Sequence, residues 1–304
     1  MNKSRRTFLR HGAAALAGTS LLARGLFATP KPKELVGIQL YSIREDMKKD
    51  PLGTLKQLAG MGYKHVEHAS YRERKFYGYT PQEFKKVLAD LGLSMPSGHT
   101  VLGKQHWDAA KKDFTDEWKY TVEDAAVVGQ QYVISPWMDQ ALRKDYDGLL
   151  ALLDTFNRSG ELCNKSGMQF GYHNHDFEFS ESLNNQTLYD IILQKTDPKL
   201  VIQQLDIGNM VGGGGKAMDI LKKYPGRFPS MHVKDVIKST STEHGSHEST
   251  IIGKGLVGTR EVADWGRKSG GTVHFIIEQE SYQGQAPLAA VKQDLEIMKQ
   301  WGYK

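Results

Sequence analysis

The sequence predicts an α/β protein folded as a single (β/α)8 TIM barrel. Three observations predict it. Short β-branched or aromatic runs alternate eight times with longer stretches of helical period. The first run ends in Gln39-Leu40-Tyr41-Ser42, without the Gly-rich turn that a dinucleotide-binding open sheet needs there. Reactive side chains also collect where the runs end, and barrel active sites sit at that end of the strands.

In chain order, the expected strands are Val36–Ser42, His65–Ser70, Leu93–His99, Tyr132–Trp137, Met168–His175, Val201–Asn209, Phe228–Asp235 and Thr272–Glu280. The expected helices are Pro51–Met61, Pro81–Leu91, Trp107–Val128, Asp145–Ser166, Thr187–Lys195, Lys216–Tyr224, Thr259–Lys268 and Pro287–Trp301. Pro51, Pro81 and Pro287 stand where a first helical turn tolerates a missing N–H. Gly60 or Gly62, then Gly92, Gly129 and Gly167, stand at helix ends, where a left-handed residue often closes the last turn. A polar insertion is expected at Ser239–Thr250, after the seventh strand. No Pro-, Gly- or Ser-rich linker divides residues 34–304, so they read as one domain.

The 304 residues are 39% hydrophobic and 25% charged, which excludes a disordered or low-complexity chain. One cysteine, Cys163, excludes an internal disulfide and a cysteine-rich zinc site. The formal charge of +5 comes from the N-terminus. Lys3, Arg5, Arg6, Arg10 and Arg24 are five of the 40 basic residues, and the others match the 35 acidic ones in number. The body is neutral and offers no general attraction to nucleic acid.

Residues 1–28 read as a secretory signal. Ser4-Arg5-Arg6-Thr7-Phe8-Leu9 precedes an apolar run from Gly12 to Phe27. The paired arginines are of the twin-arginine type, which exports folded proteins. Gly12, Gly18, Ser20, Arg24 and Gly25 make the run too polar for stable membrane insertion. The expected location is periplasmic, or otherwise exported.

The strand ends carry Gln39 and Tyr41, Glu67 and His68, His99, Trp137, His173 and His175, Asp206 and Asn209, His232, Lys234 and Asp235, then Glu278 and Glu280. His173, Asp206, His232 and Glu278 come from four successive strands. Together they offer an imidazole and carboxylate set suited to one divalent ion such as Mn, Co, Zn or Mg. Singly each has a plainer use, since a histidine there can be scaffolding and an aspartate can cap the next helix.

Several motifs resemble the xylose-isomerase-like sugar isomerase/epimerase superfamily. They are Gly37-Ile38-Gln39-Leu40-Tyr41-Ser42-Ile43-Arg44, Gly62-Tyr63-Lys64-His65-Val66-Glu67, Gly171-Tyr172-His173-Asn174-His175-Asp176-Phe177-Glu178-Phe179, Leu205-Asp206, Tyr224-Pro225-Gly226-Arg227-Phe228, His232-Val233-Lys234-Asp235 and Ile277-Glu278-Gln279-Glu280. The resemblance implies one divalent ion held by His173, Asp206, His232 and Glu278. His173 departs from it, because epimerases of that group usually place glutamate there. Of the two opposed glutamates that resemblance implies, only Glu278 remains.

The activity implied is metal-assisted proton transfer beside a carbonyl of a small sugar, as an isomerase or epimerase, and the export signal makes a non-phosphorylated sugar the expected one. Glu278, Glu67, His175 and Lys234 are the candidate acid and base groups. Gln39, Tyr41, His99 and Trp137 are the candidate sugar contacts. A 3-keto-sugar lyase or hydratase is the alternative, and a metal-free sugar-binding barrel is a third. Trp107 and Phe177 are weaker stacking candidates. Lys234 and Asp235 either pair with each other or face substrate. Gly212–Gly215 reads as a mouth loop rather than a phosphate cradle, for no Walker Lys-Ser/Thr follows. His244 and His247 belong to the insertion, and Cys163 to packing within a helix.

Overall fold

Eight parallel strands close into a barrel. They are β1 (Leu35–Gln39), β2 (His65–His68), β3 (Ser94–His99), β4 (Tyr132–Ser135), β5 (Gln169–His173), β6 (Val201–Asp206), β7 (Ser230–Val233) and β8 (His274–Ile277). Each pairs with its sequence neighbours, and β1 pairs with β8 to close the ring. The computed structural model describes residues 34–239 and 246–304. Glu34–Lys304 is one compact unit. The signal-type segment 1–28 and His244 lie outside the described residues.

The cladding helices are α1 (Pro51–Met61), α2 (Pro81–Asp90), α3 (Asp116–Val128), α4 (Tyr146–Lys165), α5 (Leu188–Lys195), α6 (Ala217–Lys223), α7 (Thr259–Trp265) and α8 (Pro287–Gln300). Their ends are set locally. In α2, Thr80 Oγ1 accepts from the Glu83 amide while Glu83 accepts from the Thr80 amide, a reciprocal cap. Asp50 and Asp145 cap α1 and α4. Gly62 and Gly129 close α1 and α3 with φ of 99° and 92°, a conformation that costs glycine nothing. Among the described residues no helix is long and apolar enough to cross a membrane.

The main core lies between the barrel and its helices. Trp118, Phe156, Phe170, Phe228 and Cys163 are buried there. Inside the barrel, Tyr132, Ile134 and Ile202 form a separate small apolar cluster. Gly37 and Gly171 leave room on the interior side, since a Cβ would stand 2.9 Å from Ile276 Cδ1 and 2.6 Å from Ile134 Cδ1. The rest of the interior carries polar side chains toward the mouth.

Several expected boundaries are corrected. The helix expected from Trp107 begins at Asp116, because Trp107–Asp108 pairs antiparallel with Asp113–Phe114. Asp108 Oδ1 accepts from the Ala110 and Lys111 amides and turns the chain there. β6 ends at Asp206, which caps the short helix Ile207–Gly212 through Asn209 N. β5 stops at His173, because Glu178 takes the His175 amide and bends the chain. After β7, Asp235–Lys238 pairs with His247–Thr250, so the end of the expected polar insertion is strand. Asp235 does not pair with Lys234. Its carboxylate accepts from the amides of Val236, Gly253, Gly255 and Val257.

Candidate metal centre

His173, Asp206, His232 and Glu278 converge at the barrel mouth. One ligand atom from each lies within 4.8 Å of the others. His173 Nε2 and His232 Nδ1 stand 3.9 and 4.0 Å from Asp206 Oδ2. His232 Nδ1 lies 2.9 Å from Glu278 Oε2. Register explains the convergence, since Asp206 pairs with His232 across β6 and β7, and Glu278 directly follows the end of β8.

A divalent cation fits this donor set. Asp206 divides its oxygens between two tasks. Oδ1 caps the following helix. Oδ2 is buried with no hydrogen bond, and the Lys234 ammonium answers it only from 3.7 Å, so a directly coordinated cation would satisfy it better. Two imidazoles and two carboxylates suit the first-row and magnesium-type ions expected from the sequence. Burial pushes the Asp206 carboxyl upward, with the Lys234 charge opposing.

The imidazoles are held from behind. Glu67, fully buried, accepts from His232 Nε2 at 2.6 Å, from Gln39 Nε2 at 2.8 Å and from Gln204 Nε2 at 2.8 Å. It also accepts from the Ser97 hydroxyl. This is a carboxylate–histidine pair, and behind a metal-bound imidazole such a pair would fix ring orientation and raise basicity. Gln204 Oε1 lies 3.1 Å from His173 Nδ1 and 2.7 Å from His99 Nε2. Accepting from His173 Nδ1 would leave that ring's Nε2 lone pair toward the cluster.

The charges follow from this packing. Burial works against the Glu67 anion, but His99 and His232 hold its carboxyl well below the usual range. Burial likewise works against charge on His232, yet Glu67 and Glu278 lift it to about 10. His173 moves down through burial and the neighbouring His232 and His99. Glu278 resists burial and stays low beside Lys234 and His232. Lys234 stays cationic despite burial, because Glu278, Glu280 and Asp206 surround it. Its ammonium bonds Glu280 and stands 3.5 Å from Glu278 Oε2 and 3.7 Å from Asp206 Oδ2. Gly208 makes room for its stem, since a Cβ there would stand 2.7 Å from Lys234 Cγ.

Above the cluster lies a cavity of about 550 Å³. Tyr41, His99, Trp137, His173, His175 and Glu278 reach it. Tyr41 and Trp137 are each 43% exposed. His175 packs edge-on against Trp137 at 5.1 Å, and burial with Lys234 nearby lowers it to about 4. Glu67, Gln39 and Lys234, expected at the substrate, do not line this cavity. Glu67 and Gln39 are sealed beneath His232 rather than on the cavity, engaged with each other and with the barrel interior. Lys234 faces an adjoining recess with Asn209 and Glu280. Trp107 lies off the cavity with Arg158 over its ring at 5.1 Å, and Phe177 is buried.

Sequence reading missed Gln204 and Ser97. Gln204 had a signal, because it precedes Asp206 by two in a buried strand and so shares its inward face.

The model of the xylose isomerase-like TIM barrel matches residues 55–301. The chain belongs to that family. An inosose dehydratase of Bacillus licheniformis is 25% identical over 192 residues, covering 57% of this chain and 63% of the relative. One of Geobacillus thermodenitrificans is 33% identical over 85 residues, 28% of each chain. The chain thus matches between about a quarter and two thirds of these relatives' length. Among solved structures, a sugar phosphate isomerase/epimerase of Parabacteroides distasonis superposes with a TM-score of 0.73 at 23% identity, covering 90% of this chain and 96% of that one. A D-allulose 3-epimerase of a Methylomonas species, in complex with D-allulose, gives 0.64 at 13% identity, covering 88% and 98%. At these identities the structures share the barrel fold.

Proposed function

We propose that this xylose isomerase-like barrel is a divalent-metal-dependent enzyme acting on a non-phosphorylated keto sugar. It moves a proton at the carbon beside the carbonyl, and the step it completes is elimination of water or an aglycone alcohol from the next carbon, or the reverse addition. The observation that carries this is the buried Asp206 Oδ2, which makes no hydrogen bond, grouped with His173, His232 and Glu278, of which His173 and Glu278 line an open cavity. A divalent ion held by these four would act as a Lewis acid toward negative charge developing on the carbonyl oxygen.

The chain's own groups divide the remaining work. Glu278, kept ionised by Lys234 and His232, accepts the proton from carbon. The C–H electron pair becomes the new double bond as the neighbouring C–O bond breaks. From the recess that shares His175, Asn209 and Glu280 with the cavity, Lys234 gives a proton to the departing oxygen, which leaves as water from a free ketose or as the aglycone alcohol from a 3-keto-glucoside. Tyr41, Trp137 and His99 wall the sugar ring. A carboxylate answered by an ammonium is an asymmetric pair, which suits elimination better than proton exchange on two faces. Relatives named for loss of water agree with that preference.

Epimerisation is the second reading, and His175 favours it. The ring reaches the same cavity from the β5 side, where it could serve a second face. The twin-arginine-type segment supports export, and an exported enzyme meets sugars that are not phosphorylated.

NMR in deuterated water tests the proposal. Manganese- or zinc-loaded protein is incubated with 3-keto-glucosides and with free ketoses. Deuterium beside the carbonyl together with vinyl signals is expected. Deuterium with a new epimer instead moves the assignment to the second reading. No exchange with any ketose sinks both.

A further inference from the structure

We propose that the substrate is a glycoside of disaccharide size, with a second neutral sugar ring seated on Tyr120 beside the metal centre. This rests on the sugar-acting reading above and extends it. A hexose has about a dozen non-hydrogen atoms, and at no more than a water's ~30 Å³ each it fills less than roughly 360 Å³. The cavity over the cluster holds about 550 Å³. A second cavity of about 850 Å³ shares the wall formed by Tyr71, Arg72, Thr100 and Val101. One ring therefore leaves most of the available space empty.

The second cavity carries the chemistry of sugar recognition. Tyr120 is 39% exposed in it and Val101 is 40% exposed on the shared wall. With Tyr41 and Trp137 they make four of the five exposed large hydrophobic side chains among the described residues. Aromatic faces of this kind present apolar area with polar partners alongside, here Gln105 and Thr121. Charge is balanced, since Arg72 and Arg74 are matched by Glu73 and Glu117. Arg74 is also already engaged by Asp124 at 2.7 Å. The lining suits a neutral hydroxylated ring better than a phosphate.

The platform is also held rigid at a cost in backbone strain. Arg74 lies over the Tyr120 ring at 4.1 Å and binds Asp124 through two nitrogens. Tyr71 Oη donates to the same carboxylate at 2.7 Å. Glu73 and Arg74 form the turn between Tyr71–Arg72 and Lys75–Phe76, with φ of 49° and 60°. Such turns favour Asn and Gly. The chain's other two-residue hairpin turn among the described residues follows that rule with Asn184 and Asn185. At 73–74 it keeps residues that strain the backbone, and what they supply is the arginine beneath Tyr120.

The test is binding to the zinc-loaded full chain by calorimetry. The probes are glucose, cellobiose, maltose, lactose, phenyl glucoside and glucose 6-phosphate. At least one disaccharide should bind about tenfold tighter than glucose. Tyr120→Ala should erase that gain and leave glucose affinity unchanged, while Tyr120→Phe should keep it. Equal affinity for glucose and every disaccharide would overturn the second ring and leave the single-sugar reading standing. A gain with phenyl glucoside alone, or a preference for the phosphate, would also overturn it. Failure of all probes to bind would overturn this inference, while the keto-sugar reading beneath it stands or falls by the deuterium-exchange assay.

Discussion

Replacing Glu67 by glutamine tests how the ligand set is held. Its Oε1 accepts from Gln39 and His232, and its Oε2 from Ser97 and Gln204. An amide NH2 at Oε2 can be met by a turned Ser97 hydroxyl. It cannot be met by the Gln204 NH2 unless Gln204 flips and gives up His99 and His173. An NH2 at Oε1 sets two donors against Gln39 and His232. Either way a buried charge is lost and at least one donor goes unsatisfied. Breaking one partner of a buried pair costs about 3–5 kcal/mol, so the ion-free protein should lose stability of that order. His232 also loses the group that holds its proton on Nε2 and keeps Nδ1 facing Asp206 and Glu278. Partners behind a metal-bound histidine are worth about 10–100-fold in affinity. Manganese titration followed by electron paramagnetic resonance should therefore show Glu67→Gln binding at least tenfold weaker than wild type. Circular dichroism would confirm that the variant is folded. A folded Glu67→Gln with unchanged manganese affinity would refute the positioning role.

Three further outcomes are expected. His232→Ala and Asp206→Ala should lose metal and turnover together, whereas Glu278→Gln should keep part of its metal and lose most turnover. Metal analysis beside the NMR assay separates the two patterns. Gly160→Ala gains about 1 kcal/mol of helix propensity but places a Cβ 2.3 Å from the Leu200 carbonyl oxygen. Backbone overpacking of about 1–3 kcal/mol or more should win, lowering the urea midpoint. Burial, with Asp235 adding to it, lifts Asp294 to about 7 from 3.8. Because the folded carboxyl holds its proton longer than the unfolded one, stability should fall as pH rises from about 4 to 7 and then level off. Asp294→Asn should flatten that slope, by up to roughly 4 kcal/mol at neutral pH, read from urea unfolding at several pH values.

The barrel was legible because its signals are local. β-branched runs, glycine C-caps and capping aspartates each act within a few residues, and eight repeats reinforce one another. Trp107–Phe114 was not, because Trp107, Phe114 and Trp118 are spaced as a helix stripe would be while the Asp108 turn pairs the segment as a hairpin. The cluster of His173, Asp206, His232 and Glu278 was legible because each stands at or next to the end of a strand, and strand ends share one rim. The support beneath them was not. Glu67 looks like any acid at a strand end, and only barrel closure shows that it sits under His232, from a strand two places around the ring from β8. The second cavity depends on Arg74 crossing to α3, a contact that no spacing in the sequence announces.

The most direct measurement is an anomalous-scattering map of crystals soaked in manganese, collected on the metal's absorption edge. The account predicts one peak per chain, contacting His173, Asp206, His232 and Glu278. No peak there, with those side chains ordered and turned away from one another, would contradict it.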